Sequence, residues 1–163
     1  MSDDTLIIYE AEIKKIETLL NKMLKGAEAK CALLVDKDGH LISRQGFTHS
    51  LDTTALAALL AGSFASTKEI ARLVGEDEFS VLFHQGKKDH IHMSLAGDRS
   101  ILVVIFDDRT TIGMVRLYAK ETAGELAQIF EQIKADTSDK GQNTVNESFT
   151  DMAQDKLDDI FQD

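Results

Sequence analysis

Asp52-Thr53-Thr54-Ala55-Leu56-Ala57-Ala58-Leu59-Leu60-Ala61-Gly62-Ser63-Phe64-Ala65-Ser66-Thr67-Lys68-Glu69-Ile70-Ala71-Arg72-Leu73-Val74-Gly75 is the stretch on which the fold turns. Asp52 suits a helix N-cap, and Gly75 suits the left-handed residue that closes one. Leu56, Leu60, Phe64, Ile70 and Val74 form a stripe of large residues, with Leu59 and Ala71 at its margins, and this stripe is expected to cover a sheet. The opposite side carries Ala58, Ala61, Gly62 and Ala65, followed by Glu69 and Arg72. An outward helix face is normally rich in lysine and glutamate; this one is small and largely apolar for about two turns. Small side chains admit another backbone, and a bare apolar patch marks an interface. Helix propensity accounts for the alanines but not for Gly62, which costs a helix interior about 1 kcal/mol.

Working outward, three strands are expected after this helix: Phe79 to His84, His90 to Leu95 and Ser100 to Phe106, with turns at Gln85-Gly86-Lys87-Lys88 and Gly97-Asp98. Ile101 to Phe106 has no polar residue, so both of its faces should be covered. Ile91, Met93 and Leu95 alternate with His90, His92 and Ser94, a one-sided pattern that leaves the histidines at the surface. Before the helix, Ala29 to Asp36 and His40 to Gln45 read as a hairpin around Asp38-Gly39. Asp36 and Asp38 do not make a calcium loop, which needs more spaced oxygen donors and a terminal glutamate.

An amphipathic helix is expected from Leu6 to Lys25, buried through Ile13, Ile16, Leu19, Leu20, Met23 and Leu24 and stopped by Gly26. Another begins near Thr110 or Thr111 and ends near Lys134, burying Ile112, Val115, Leu126, Ile129, Phe130 and Ile133. The order is α-β-β-α-β-β-β-α, an α+β sandwich with a mostly antiparallel five-stranded sheet, one helix on one face and the terminal helices on the other. Composition changes at Asp136. Residues 1–135 read as the domain, and residues 136–163 as an acidic appendage: a flexible linker to about Glu147, then a short helix with Phe149, Met152, Leu157, Ile160 and Phe161 on one side. Of the net charge of −10, this appendage carries −6, from eight acidic and two basic residues. So short a helix is marginal alone and reads as a recognition motif that folds on a partner.

The charge counts against binding nucleic acid or anionic lipid, both of which need clustered cations. One cysteine, Cys31, excludes an intrachain disulfide and fits a reducing compartment. The longest apolar run is far short of a bilayer span, and acidic Met1-Ser2-Asp3-Asp4 is unlike a signal peptide. No P-loop is present. Gly62-Ser63 lies within a helix and lacks the second glycine of a nucleophile elbow. His84, His90 and His92 flank one hairpin, but no cysteine or carboxylate clearly completes a tetrahedral metal set. The expectation is a protein with no active site, metal or cofactor of its own.

Three segments together resemble the Roadblock/dynein light chain family: Lys30-Cys31-Ala32-Leu33-Leu34-Val35-Asp36-Lys37-Asp38-Gly39, the helix from Asp52 to Gly62, and Leu102-Val103-Val104-Ile105-Phe106-Asp107 followed by Gly113-Met114-Val115-Arg116-Leu117. The likeness runs from Leu6-Ile7-Ile8-Tyr9-Glu10 to about residue 135, and Leu157-Asp158-Asp159-Ile160-Phe161 resembles the ending of some longer members. It implies a homodimer whose central helices pair antiparallel, with Phe79, Val81 and Phe83 on the strand that meets its mate. It implies that two copies bind one Ras-like small GTPase through Ala58, Ala61, Gly62, Ala65, Glu69 and Arg72. It further implies activation of hydrolysis by repositioning the GTPase's own catalytic residues, so that Arg72 is a contact rather than an arginine finger, with Arg44 and Arg109 weaker candidates still. Glu69 departs from the small residues frequent at its position. Phe149, Leu157, Ile160 and Phe161 become a second GTPase contact. A cytoplasmic regulator of cell polarity and motility, able to gather at a pole, is the implied role. A non-activating scaffold of the same fold, and a PAS-like or GAF-like ligand sensor, are the alternatives.

Overall fold

The computed structural model describes residues 10–161, with side chains described for residues 10–138 and Lys156. Its elements are α1 (Glu10–Ala27), β1 (Cys31–Asp36), β2 (Leu41–Gly46), α2 (Thr53–Leu73), β3 (Val81–Gln85), β4 (His90–Ala96), β5 (Ser100–Phe106) and α3 (Ile112–Phe161). The expected start of the first helix at Leu6 lies outside the described residues. Tyr9–Ile129 form one compact unit, and the chain from Phe130 onward belongs to another.

The strands lie in the order β2-β1-β5-β4-β3, and every pairing is antiparallel. The β1–β2 reversal is built by Asp36, whose carboxylate accepts the backbone N–H groups of Asp38 (3.0 Å) and His40 (2.9 Å). Gly39 takes φ +97° there, a conformation other residues rarely adopt. Central β1 and β5 are covered on both faces, which is why each is nearly free of polar residues.

One face packs against α2 in a core of Cys31, Leu33, Val35, Met93, Ile101, Val103 and Ile105 with Ala57, Leu60, Ala61 and Phe64. On the other face Ala32, Leu34, Leu102, Val104 and Phe106 are buried, with Ile16, Leu20 and Met23 of α1 and Val115, Ala119 and Leu126 of α3. The aliphatic strand residues thus bury on both sides and supply most of the driving force for this three-layer arrangement.

Two helix ends differ from expectation. Gly26 does not stop α1. A Cβ on it would collide with the Tyr118 ring, so this glycine lets α1 and α3 approach. The turn out of α1 comes two residues later, where Glu28 takes φ 54° and the Ala29 N–H donates to the Leu24 carbonyl (3.2 Å). The expected flexible segment from Asp136 to Glu147 has a helical backbone, continuous with the short terminal helix, so among the described residues three helices stand where four were expected. No proline interrupts this run, and its polar residues are tolerated in helices.

Candidate functional site on the outer face of α2

The caps of α2 are those expected. The Asp52 carboxylate accepts the Ala55 N–H (3.1 Å). At the far end the Glu76 N–H donates to the Ala71 carbonyl (2.9 Å) and the Gly75 N–H to that of Arg72 (3.2 Å), with Gly75 at φ +85°. The phase of the helix differs from expectation along its second half. Thr53, Ala57, Leu60, Ala61, Phe64, Thr67 and Ala71 face inward, whereas Ile70 and Val74 are exposed and Leu56 is half-buried. Thr67 satisfies its buried hydroxyl by donating to the Phe64 carbonyl (2.6 Å). Ala61, expected on the outer face, is only 4% exposed and belongs to the core. Small residues here serve close approach of helix to sheet, as at Gly39, where a Cβ would stand 3.1 Å from the Ala58 Cα.

What remains outside is an apolar surface in two strips. Ala58, Gly62 and Ala65 are exposed, and a Cβ on Gly62 would meet no atom within 4 Å. Glu69 and Arg72 continue this strip and pair with each other (3.2 Å), an exposed contact of small energetic value that leaves both able to find other partners. Beside it runs a strip of large residues that the sequence reading placed inward or missed: Leu59 (71% exposed), Ile70, Leu73 (85% exposed) and Val74. The spacing of Leu56, Leu60 and Phe64 carried the signal for this. Continued at 3.6 residues per turn it reaches Thr67 and Ala71, not Ile70 and Val74.

β3 lies at one edge of the sheet and pairs only with β4 among the described strands. Val81 is partly exposed, while Phe83 is half-buried and stacked on Phe106 of its own chain (ring centroids 6.1 Å apart). Phe79 precedes the strand. What β3 offers a partner is therefore a backbone edge more than the Phe83 side chain. Phe149, Leu157, Ile160 and Phe161 fall on the backbone of α3, but their side chains lie outside the described residues.

The other two arginines considered as GTPase contacts are engaged elsewhere. Arg44 donates to the Thr53 hydroxyl (3.1 Å), and Arg109 pairs with Asp107 (3.0 Å), holding that carboxyl below its usual range. His84 lies on the α2 face of the sheet and is exposed, whereas His90 and His92 are on the other face and buried, not at the surface as expected. α3 covers this part of the sheet. The three histidines therefore share no site, and among the described residues no group of three or more His, Cys, Asp or Glu could hold a metal. Cys31 is buried and its thiol is pushed up to about 11 by desolvation, which makes it a poor nucleophile. No described helix is long and apolar enough to cross a membrane.

A five-stranded antiparallel sheet with α2 on one face and α1 and α3 on the other is the architecture of the Roadblock/LC7 domain, whose family model matches residues 15–106, and the chain belongs to that family. Within it, the chain is similar to MglB. It is 48% identical to MglB of Myxococcus xanthus, covering 78% of this chain and 96% of that one, with a TM-score of 0.74. It is 30% identical to the gliding protein MglB of Thermus thermophilus, covering 78% and 97%, also at 0.74. Another MglB structure, described as having a tetrameric arrangement, is 30% identical over 79% of this chain and 97% of that one, with a TM-score of 0.76.

Proposed function

We propose that this protein activates hydrolysis by an MglA-like, Ras-type small GTPase and has no active site of its own. The outer face of α2 carries the reading: Ala58, Gly62 and Ala65 are exposed, and a Cβ on Gly62 would meet no described atom within 4 Å. Similarity to MglB from two organisms supports the class of partner. Two copies pair through α2 and the β3 edge. Leu59, Ile70, Leu73 and Val74 bury against the mate, and the small strips together form a shallow platform for the switch region of one GTPase. The platform binds the hydrolysis-competent switch conformation better than the relaxed one and so raises its population. Arg72, tied to Glu69, acts as a contact, and the arginine and glutamine that act on the γ-phosphate are the GTPase's own.

The helical extension supplies a second, weaker contact through Phe149, Leu157, Ile160 and Phe161, which raises the effective concentration of the platform at its target. Control of cell polarity and gliding is the setting that the MglB likeness favours.

The test adds the purified protein to the cognate GTPase and follows phosphate release. Acceleration over the intrinsic rate is expected. Binding with an unchanged rate would make the protein a scaffold, and no binding would remove the reading. Leu157→Ala together with Phe161→Ala is expected to weaken GTPase binding and leave the dimer intact; unchanged affinity would take the extension out of the site.

A further inference from the structure

Two histidines on β4 are buried. His92 is only 2% exposed, and both of its ring nitrogens lack a hydrogen-bond partner, as does the buried Oγ of Ser94 two residues on. Its cross-strand neighbours are Phe83 on β3 and Val104 on β5, which bring no charge. α1, on this side of the sheet, packs over β1 and β2, away from β4. The charged group that acts on His92 is Arg116 of α3.

His90, one position along the same face, has both nitrogens in use. Its Nδ1 accepts the Gly86 N–H in the β3–β4 turn (3.2 Å), so that nitrogen is unprotonated. Its Nε2 therefore carries the hydrogen and donates to Asp108 in the β5–α3 loop (3.3 Å). The ring also packs between Phe83 and Phe106, at centroid distances of 6.1 and 5.3 Å.

We propose that β4 carries an acid-sensitive clasp, in which His90 ties the β3–β4 turn to the β5–α3 loop and His92 beside it stays seated only while its ring is uncharged. A second proton on His90 would set a donor against the Gly86 N–H. A proton on His92 would place an unsolvated cation beside Arg116. Burial and then Arg116 hold the His92 imidazole below its ordinary range. The unfolded chain thus binds protons that the folded chain refuses, and stability is complete above about pH 6.5 and lost as the pH falls below it. This clasp does not depend on what α2 binds.

The test is urea unfolding at fixed protein concentration from pH 8 to pH 5, for the full chain and for the double variant His90→Gln, His92→Leu. The unfolding constant of the parent is expected to rise by up to about tenfold by pH 5.5, through His92. In the double variant this rise should flatten, since glutamine keeps an acceptor and a donor without a charge, and leucine needs neither. The exposed-site control His84→Gln should keep the parent's slope. A double variant with the full parental slope overturns the proposal. Should that variant not fold, imidazole NMR signals of the parent decide: the His92 ring is expected to stay neutral at pH 6, and a His92 ring already charged there overturns the clasp.

Discussion

Gly26 and Gly62 both lie inside helices, and their surroundings are opposite. At Gly26 the Tyr118 ring occupies the space a side chain would need; at Gly62 that space is open. Each glycine weakens its helix by about 1 kcal/mol relative to alanine. Only Gly26 has a return for this within its own chain, the close packing of α1 on α3. Gly124 is a second open glycine, but exposed Lys120, Glu121 and Gln128 lie around it on α3. Around Gly62 stand Ala58, Leu59 and Ala65 instead. The interface proposed on α2 thus rests on an open glycine within an apolar surround, and on neither feature alone.

This contrast can be broken by substitution. The largest effect is expected from Ile70→Asp with Leu73→Asp, which places two charges in the strip assigned to the mate. Sedimentation should show a monomer at micromolar concentration, and acceleration of the GTPase should disappear. A dimer that persists would place the mate elsewhere. Gly26→Ala is expected to cost about 1–3 kcal/mol in urea unfolding through overpacking against Tyr118. Gly62→Ala should go the other way and stabilise the chain by up to about 1 kcal/mol, as should Gly124→Ala. Of these two, only Gly62→Ala should also weaken GTPase binding, which calorimetry can resolve. The smallest effect is at Cys31: a thiol reagent should leave it unmodified in the folded protein at pH 8 and label it once urea is added.

Much of this architecture was legible from residue order. Asp52 and Gly75 mark the ends of α2, Asp36 to Gly39 mark a turn, and the apolar run of β5 requires a covered central strand. The misplaced side chains share one physical cause, the assumption that apolar means inside and polar means outside. In α2 the tight seat on the sheet needs alanine at positions 57, 61 and 71, while Ile70, Leu73 and Val74 point out. In β4 the polar alternation suggested an open face, yet His90 and His92 are buried there, with Arg116 of α3 close enough to act on His92. Ile112 was expected in the core of α3 and is exposed at its first turn, where Thr111 caps the helix by accepting the Met114 N–H (3.2 Å). A single chain's pattern records every surface its residues meet, including those of other chains, and burial within one chain is only part of that record.

The most direct measurement is the affinity of the cognate GTPase, loaded with a non-hydrolysable GTP analogue, for the parent protein and for Gly62→Arg. A Cβ at this position meets no described atom within 4 Å, so thermal stability should hold or rise slightly. Affinity should fall at least a hundredfold if the α2 platform is where the switch region sits. An unchanged affinity in a folded variant would contradict that placement outright.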